Sequence, residues 1–296
     1  MKLPIFTGSG VAIVTPFSDG TVDLEAMGRL LDFQISSGTD AIIVCGTTGE
    51  ASTMTYRERM QAIAFCVEHA EGRVPVIAGS GSNSTETSIA LSRDAERAGA
   101  DALLTVTPYY NKATQEGLVR HFTTLADAVS SPMILYNVPS RTGVSIAPET
   151  YARLSVHPNI HGVKEASGSL GAVQRTRALC PEDFYIWSGN DDETVPICAL
   201  GGKGVISVAA NLIPAQMHQL VSLCLANDFA AAGALQIQLK DLIDALFCEV
   251  NPIPVKTALN LMGWKVGTLR LPLCEPSEAN LRRIRETLER YSLLPQ

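Results

Sequence analysis

Eight short runs of mostly apolar, often β-branched residues recur along the chain, each followed by a polar turn and a stretch with helical spacing. The runs are Gly10–Phe17, Ala41–Cys45, Val74–Gly79, Ala102–Thr107, Met133–Val138, Ile160–Ala166, Phe184–Ser188 and Val205–Ala209. Nearly continuous apolar runs are typical of parallel strands that are covered on both faces. Each unit averages roughly 30 residues, the length of a strand–helix–strand repeat. Eight such units predict a closed (β/α)8 TIM barrel, because no glycine fingerprint of an open dinucleotide-binding sheet is present.

After the eighth run the pattern becomes purely helical. The helical stretches are Pro214–Ala226, Phe229–Phe247, Pro254–Met262 and Pro276–Leu294. The first would close the barrel, and the other three form an extension. We therefore expect a barrel domain over residues 1–226 that carries the active site, and a C-terminal helical extension over residues 227–296 that packs against it.

Composition excludes several classes of partner. The formal net charge of −7 argues against nucleic-acid binding, which needs a basic surface. The seven cysteines are odd in number, scattered and free of CxxC spacing, as expected for reduced thiols in the cytoplasm. No stretch has the length and hydropathy of a membrane span, so we expect no membrane partner. The five histidines lack metal-ligand spacing, so we expect neither a metal nor another cofactor.

One lysine stands out at the end of the sixth run, in the segment Gly162–Ser167. Strand side chains alternate between faces, so Gly162 and Ala166 share the side of Lys164 and should leave room beside its amine. Burial in an apolar strand favours the neutral, nucleophilic form of an amine, which can add to a carbonyl group. A lysine that merely extends toward solvent from a strand end is the simpler alternative.

Other strand ends carry polar groups, and in barrel enzymes the chemistry gathers at these carboxyl ends. The second run ends in Gly46–Glu50, a turn whose backbone N–H groups and two threonines could hold an anion. The fourth and fifth runs lead into Thr107–Asn111 and Tyr136–Gly143, which supply tyrosines and Arg141. A phenol can relay protons and a guanidinium can hold a carboxylate at two points. Taken one at a time, each could be an ordinary turn or packing residue.

Together these motifs resemble the dihydrodipicolinate synthase family, within the pyruvate-dependent class I aldolases that also include N-acetylneuraminate lyase. The resemblance covers the whole chain. Its motifs are Gly46–Glu50, Thr107–Asn111, Tyr136–Gly143, Gly162–Ala166, Ser188–Asp192 and Asn251–Lys256. It implies a lyase of lysine and diaminopimelate biosynthesis that joins two small-molecule substrates, pyruvate and L-aspartate-4-semialdehyde. Lys164 would form a Schiff base with pyruvate, and the derived enamine would attack the aldehyde.

The resemblance also implies roles for individual residues. Tyr136, Thr47 and Tyr110 correspond to a proton-relay triad, in which the tyrosine equivalent to Tyr110 comes from the neighbouring subunit of a homotetramer built as a dimer of dimers. The remaining matched positions bind substrate: Thr48 holds the pyruvate carboxylate together with Thr47, Arg141 holds the carboxylate of the semialdehyde, and Gly189 and Ile206 line the site through backbone groups. Asn251 lies in a matched motif without an assigned role.

One departure concerns feedback regulation. Many family members are inhibited by lysine at a site between subunits that includes a histidine and a glutamate. Asn83 and Tyr109 match that site, but Tyr56 and Thr87 replace the histidine and the glutamate. A charge-assisted hydrogen bond is worth about 1.5 to 3 kcal/mol, so we expect weak or absent inhibition by lysine.

Two alternatives remain open at this point. A sister aldolase, such as N-acetylneuraminate lyase or a 2-keto-3-deoxy-sugar-acid aldolase, would share the lysine and Tyr136. The Thr47–Thr48 pair and the Pro139–Gly143 loop favour the synthase, because sugar-acid members usually lack the arginine. The second alternative is a non-catalytic keto-acid sensor, which would not need a nucleophilic amine.

Overall fold

The computed structural model describes residues 1–295 and shows eight parallel strands closed into a barrel. The strands are β1 (Gly8–Ala12), β2 (Ala41–Val44), β3 (Val76–Gly79), β4 (Ala102–Val106), β5 (Met133–Asn137), β6 (Ile160–Glu165), β7 (Tyr185–Ser188) and β8 (Gly204–Ser207). Each strand pairs in parallel with its neighbours in sequence, and β1 closes the ring against β8. The predicted (β/α)8 TIM barrel is confirmed.

Helices lie between consecutive strands and continue after the last one. The main helices are α1 (Leu24–Ser36), α2 (Tyr56–Ala70), α3 (Thr85–Arg97), α4 (Gln115–Asp127), α5 (Pro148–Leu154), α6 (Leu170–Leu179), α7 (Thr194–Ala199), α8 (Pro214–Leu225), α9 (Phe229–Gln238), α10 (Lys240–Leu246), α11 (Ile253–Leu261) and α12 (Glu278–Arg290). Among residues 1–295, no helix has both the length and the hydropathy needed to cross a bilayer.

Local sequence signals set several helix boundaries. The Asp23 side chain accepts a hydrogen bond from the Ala26 N–H and begins α1, and Thr55 begins α2 with a capping box completed by Glu58. Such caps satisfy backbone donors that the first helical turn leaves free. These two helices therefore begin where local chemistry alone would start them.

Two differences from the sequence expectation have identifiable causes. The first strand ends at Ala12 instead of reaching Phe17, because the Val14 N–H bonds to the side chain of Asn211 and Pro16 has no N–H to donate. Phe17 instead pairs with Val22 in a small antiparallel hairpin.

The predicted single helix over Phe229–Phe247 is two helices that meet at Leu239. The carbonyl of Gln238 accepts a hydrogen bond from the hydroxyl of Tyr291, which follows the distant helix α12. Tyr291 lies 53 positions after Gln238 in the sequence. Local spacing could not reveal it.

The two faces of the strands bury different sets of side chains. The inward faces form an interior cluster that includes Phe6, Ile43, Tyr136, Trp187 and Ile206. The outward faces pack against the helices in a larger cluster. The barrel is therefore a packed core, and open space is confined to its ends.

Closure of the barrel depends on a close backbone approach at Gly204, which has φ +146°. A Cβ atom there would lie 1.8 Å from the carbonyl oxygen of Gly8 on the paired strand β1. Backbone cannot move away as a flexible side chain can. We therefore expect Gly204→Ala to lower the free energy of unfolding by at least about 3 kcal/mol, measured by urea denaturation.

The matched control is Gly20→Ala, since Gly20 also has positive φ (+77°) but has no atom within 4 Å of the added carbon. The control should lose only about 1 kcal/mol, the conformational cost alone. Equal losses in the two variants would contradict the role assigned to the β1–β8 contact.

Candidate active site

Lys164 lies in the interior row of the barrel. On β6 it pairs in register with Tyr136 of β5 and Trp187 of β7, and paired residues of neighbouring strands point to the same face. Both neighbours belong to the interior cluster, so the lysine points inward as well. Its side chain is buried, at 5% exposure, and its Nζ atom lies 4.5 Å from the centroid of the Tyr136 ring. The expected burial of this amine beside Tyr136 is confirmed.

The space expected beside Gly162 is already filled. A Cβ atom at Gly162 would lie 2.0 Å from the carbonyl oxygen of Tyr185 and 3.0 Å from the Trp187 ring. The glycine therefore admits the neighbouring strand and the indole, and the expectation of free space there is wrong. Similarly, a Cβ atom at Gly189 would lie 2.7 Å from the Cβ of Ala166. Both glycines serve close packing around the amine.

The back of β6 is fixed by Glu165, which points away from the barrel interior. Its carboxylate accepts hydrogen bonds from Asn137 Nδ2 (3.0 Å), the Tyr151 hydroxyl (2.9 Å) and the Ser167 N–H (2.9 Å). Burial raises the pKa of this carboxyl, and the three donors oppose that shift. These bonds join β5, α5 and the loop after β6, so they hold the strand that presents Lys164.

A second buried carboxylate, Asp191, lies near the amine at the barrel mouth. It accepts hydrogen bonds from the Ser207 hydroxyl and from the N–H groups of Val208 (3.0 Å) and Ala209 (3.1 Å). Burial raises its pKa, while these donors and the positive charge of Lys164 act in the opposite direction. The position of Asp191 depends on hydrogen bonds to Ser207 of β8 and to the residues that follow it, which are distant in sequence.

The turn Gly46–Glu50 connects β2 to the next helical segment. The Glu50 N–H bonds to the Thr47 carbonyl at 3.1 Å, and Thr15 Oγ1 donates to the Gly49 carbonyl at 2.7 Å. Glu50 itself adopts a left-handed conformation with φ 52°. Thr47 is half-buried and Thr48 is buried, so the two predicted threonines face different surroundings.

A cavity of about 320 Å³ opens next to this turn. Of the predicted site residues, it is lined by Thr47, Tyr136 and Arg141. Lys164, Thr48, Gly189 and Ile206 do not line it, although Lys164 and Ile206 adjoin Tyr136 within the barrel interior. The phenol of Tyr136 therefore belongs both to the cavity and to the surroundings of the amine.

The charge of the cavity comes from arginine. Arg59 and Arg141 line it, and within residues 1–295 no aspartate or glutamate does. Such a lining suits an anionic ligand. Arg59 was not singled out from the sequence, because it lies in the first turn of α2 without a distinguishing motif. Its Nη2 donates to the Gly79 carbonyl at 2.8 Å, which fixes the guanidinium against the end of β3.

Asn251, which had no assigned role, joins two of the predicted site residues. Its side-chain amide donates to Thr48 Oγ1 at 3.0 Å, and its backbone carbonyl accepts from Arg141 Nη2 at 3.1 Å. The Asn251–Pro252 peptide bond is cis. Asn251 precedes helix α11, so the C-terminal part of the chain contributes directly to the site.

Tyr110 is the one predicted catalytic residue that points away from the cavity. It is 89% exposed and has φ 72° in the loop after β4. Its neighbour Tyr109 is 39% exposed and lines the cavity. In a single chain, Tyr110 is therefore exposed, whereas Lys164 is buried.

The arrangement suits addition of an amine to a small, anionic carbonyl compound. A buried primary amine can attack a carbonyl carbon, the Tyr136 phenol beside it can move protons, and two guanidinium groups attract carboxylates. Within residues 1–295, no cluster of three or more His, Cys, Asp or Glu side chains suits a metal ion.

Known proteins match this chain over nearly its full length. The model of the Dihydrodipicolinate synthetase family matches residues 5–291. A 4-hydroxy-tetrahydrodipicolinate synthase from Thermoanaerobacter sp. (strain X514) is 55% identical over 295 residues, which cover 99% of each chain.

Solved structures agree with the sequence match. A dihydrodipicolinate synthase from Aquifex aeolicus superposes with a TM-score of 0.96 at 45% identity, covering 98% of this chain and 100% of that one. A structure characterised as a monomeric dihydrodipicolinate synthase variant superposes with the same TM-score at 44% identity, covering 98% of each chain.

Proposed function

The chain belongs to the dihydrodipicolinate synthetase family, and on that premise we propose that Lys164 is the amine through which it condenses pyruvate with L-aspartate-4-semialdehyde. The chain is an enzyme of the lyase class, and its product, 4-hydroxy-tetrahydrodipicolinate, belongs to lysine and diaminopimelate biosynthesis. The observation that carries the role of Lys164 is its burial beside Tyr136, with Nζ 4.5 Å from the ring centroid. A sister aldolase is not favoured, because the matched relatives carry the synthase name.

The reaction begins with attack of the Lys164 amine on the keto carbon of pyruvate. Loss of water gives an iminium ion, and loss of a methyl proton gives an enamine. The enamine carbon attacks the aldehyde of the semialdehyde, whose oxygen then takes up a proton. The amino group of the second substrate finally displaces the lysine nitrogen, which closes the ring and frees the enzyme.

Proton transfer is assigned to the relay of Tyr136, Thr47 and Tyr110. Tyr136 and Thr47 both line the cavity, and Tyr136 also contacts the amine. A phenol in this position can carry the proton that leaves during imine formation and return it to the new hydroxyl group. Such groups typically accelerate a step by about 10²- to 10⁴-fold.

Substrate carboxylates are assigned to the turn and to the arginine. The N–H groups and hydroxyls of Thr47 and Thr48 hold the carboxylate of pyruvate close to the amine. Arg141, which is exposed at the cavity edge, holds the carboxylate of the semialdehyde. Gly189 and Ile206 complete the wall of the site with backbone groups. We further propose that the reaction takes place in the cytoplasm and needs no cofactor.

Reductive trapping tests the role of Lys164. With pyruvate and borohydride, the imine is reduced to a stable secondary amine, so peptide mass mapping should find the adduct on Lys164 and not on the other six lysines. Lys164→Ala should lose the adduct and reduce turnover by a factor on the order of a thousand or more. Tyr136→Phe should still bind pyruvate but trap it more slowly, by about a hundredfold or more.

Pyruvate bound tightly without any adduct on the wild-type protein would instead favour a keto-acid sensor. Modification spread evenly over the surface lysines would also count against the proposal, because it would show that Lys164 has no special reactivity.

We further propose a homotetramer built as a dimer of dimers, in which Tyr110 completes the site of the partner. The exposure of Tyr110 and its absence from the cavity lining of its own chain support this. Coexpression of Lys164→Ala with Tyr110→Phe should then restore activity, since the mixed dimer has one site with both intact residues. Recovery should approach about a quarter of the wild-type rate at statistical mixing.

Each variant expressed alone serves as the control for this experiment. Activity of the mixture no greater than the average of the two single variants would contradict a shared site. A solution mass equal to one chain would contradict the tetramer.

Weak or absent inhibition by lysine is proposed from the positions of Tyr56 and Thr87. The Tyr56 hydroxyl bonds to Asp94, and Thr87 is an uncharged residue in the first turn of α3. Without a carboxylate for the ammonium group, affinity should fall by a factor of about 10 to 150. Steady-state rates should therefore be unchanged in submillimolar lysine, while Thr87→Glu should introduce measurable inhibition. Strong inhibition of the wild type by lysine at concentrations below about 1 mM would refute this proposal.

A further inference from the structure

A buried ion pair connects the C-terminal extension to the turn that follows β2. Lys256 of α11 and Glu50 lie 2.7 Å apart, from Nζ to Oε1, and their side chains are 1% and 0% exposed. The second oxygen of Glu50 accepts the N–H of Arg270 at 3.0 Å. Lys256 also donates to the Thr268 carbonyl at 2.9 Å and lies over the Phe17 ring. Both charged groups are thus buried, and each makes two hydrogen bonds.

Stability alone does not account for such a pair. Removing two charges from water costs about as much as their attraction returns, so an apolar pair of similar volume is often equally stable. Burial also lowers the pKa of Lys256, against the opposing effect of Glu50, which shows that the protein environment disfavours the charge. The pair therefore calls for an explanation beyond stability.

The position of Glu50 supplies that explanation. Glu50 is the last residue of the turn Gly46–Glu50 and adopts a left-handed conformation, which costs free energy for a residue other than glycine. Surrounding contacts must hold such a residue in place. The same turn is held at Thr48 by the side chain of Asn251, five residues before Lys256. One short segment of the extension thus holds the turn at two points.

We propose that the Lys256–Glu50 ion pair is a positioning device that holds the Gly46–Glu50 turn in the conformation that binds the carboxylate of the first substrate. This inference rests on the proposed function, in which Thr47 and Thr48 hold pyruvate. Neither Glu50 nor Lys256 lines the cavity, so both act through the turn and not on the reacting atoms. Loss of the pair should loosen the turn and weaken pyruvate binding, while Arg141 continues to bind the semialdehyde.

The chain offers a matched control in a second ion pair between the same extension and the barrel. Arg270 and Glu58 lie 2.6 Å apart with side chains 20% and 14% exposed, and Glu58 belongs to α2 instead of the turn. Hydrogen bonds from Arg270 hold the pKa of the Glu58 carboxyl at about 2. Replacing Glu58 breaks this pair at the Arg270 side chain and weakens the attachment of the extension, while the backbone N–H of Arg270 can still donate to Glu50.

The experiment compares Glu50→Gln, Lys256→Met, the double variant Glu50→Gln/Lys256→Met and Glu58→Gln in the full-length protein. Two-substrate initial rates give both KM values, borohydride trapping over a range of pyruvate concentrations gives adduct formation, and thermal unfolding gives Tm. We expect the KM for pyruvate to rise about tenfold in the first three variants, with the semialdehyde KM within about twofold of wild type. Glu58→Gln should lower Tm and leave both KM values unchanged.

The double variant separates positioning from stability. It leaves no unpaired buried charge, so its Tm should recover toward wild type while the pyruvate KM stays high. A double variant with the wild-type pyruvate KM would overturn the proposal, as would a Glu58→Gln variant with an equal rise in that KM. The pyruvate KM of the double variant tests the proposal even if Glu50→Gln or Lys256→Met fails to fold. If the double variant itself fails to fold, the pair is required for folding, and the positioning role is overturned. Absence of any adduct on the wild-type protein would refute the proposed function separately, before the variants are compared.

Discussion

The burial of two lysines in different surroundings is the constraint on which the rest of this structure depends. Lys256 and Lys164 are 1% and 5% exposed, respectively. Lys256 is paired with a buried carboxylate, whereas within residues 1–295 Lys164 forms no ion pair and lies against the face of Tyr136. Removing one partner of a buried ion pair is strongly destabilising, because the other charge is then left buried and uncompensated. Lys256 is thus committed to its ion pair with Glu50, whereas Lys164 is left beside the phenol of Tyr136, where we propose that it reacts.

The two faces of β6 have different roles in positioning the amine of Lys164. Lys164 points inward among apolar and aromatic side chains, and Glu165 points outward to donors on β5, α5 and the following loop. Alternation along a strand makes this division possible within two consecutive residues. A nucleophile must be held within a fraction of an ångström, and the carboxylate behind it supplies rigidity without placing a negative charge beside the amine.

The sequence predicted the architecture well because its evidence is local. Each strand and each helix cap is determined by a few neighbouring residues, as in the apolar run before Lys164 and the capping box at Thr55. The prediction of Lys164 as the candidate nucleophile also followed from its position on an apolar strand and from the polar motifs at the other strand ends. What could not be predicted depends on distant contacts: the split between α9 and α10, Arg59 in the cavity wall, and the filled space beside Gly162. Nor could the sequence show that Lys256 is paired with Glu50, since the two residues lie 206 positions apart.

Contacts between the extension and the barrel bear on where the active site ends. A helical segment that merely covered the barrel would contact its outer helices, as Arg270 contacts Glu58 on α2. This extension also reaches the carboxyl ends of the strands, where Asn251 meets Thr48 and Arg141 and Lys256 meets Glu50. In barrel enzymes the loops after the strands normally shape the site while the scaffold supplies stability. Here three residues of those loops have their conformations fixed from outside the eight-fold repeat. Rigid support of this kind is what a site for a small ligand requires, because pyruvate offers few atoms by which a mobile turn could be ordered on binding.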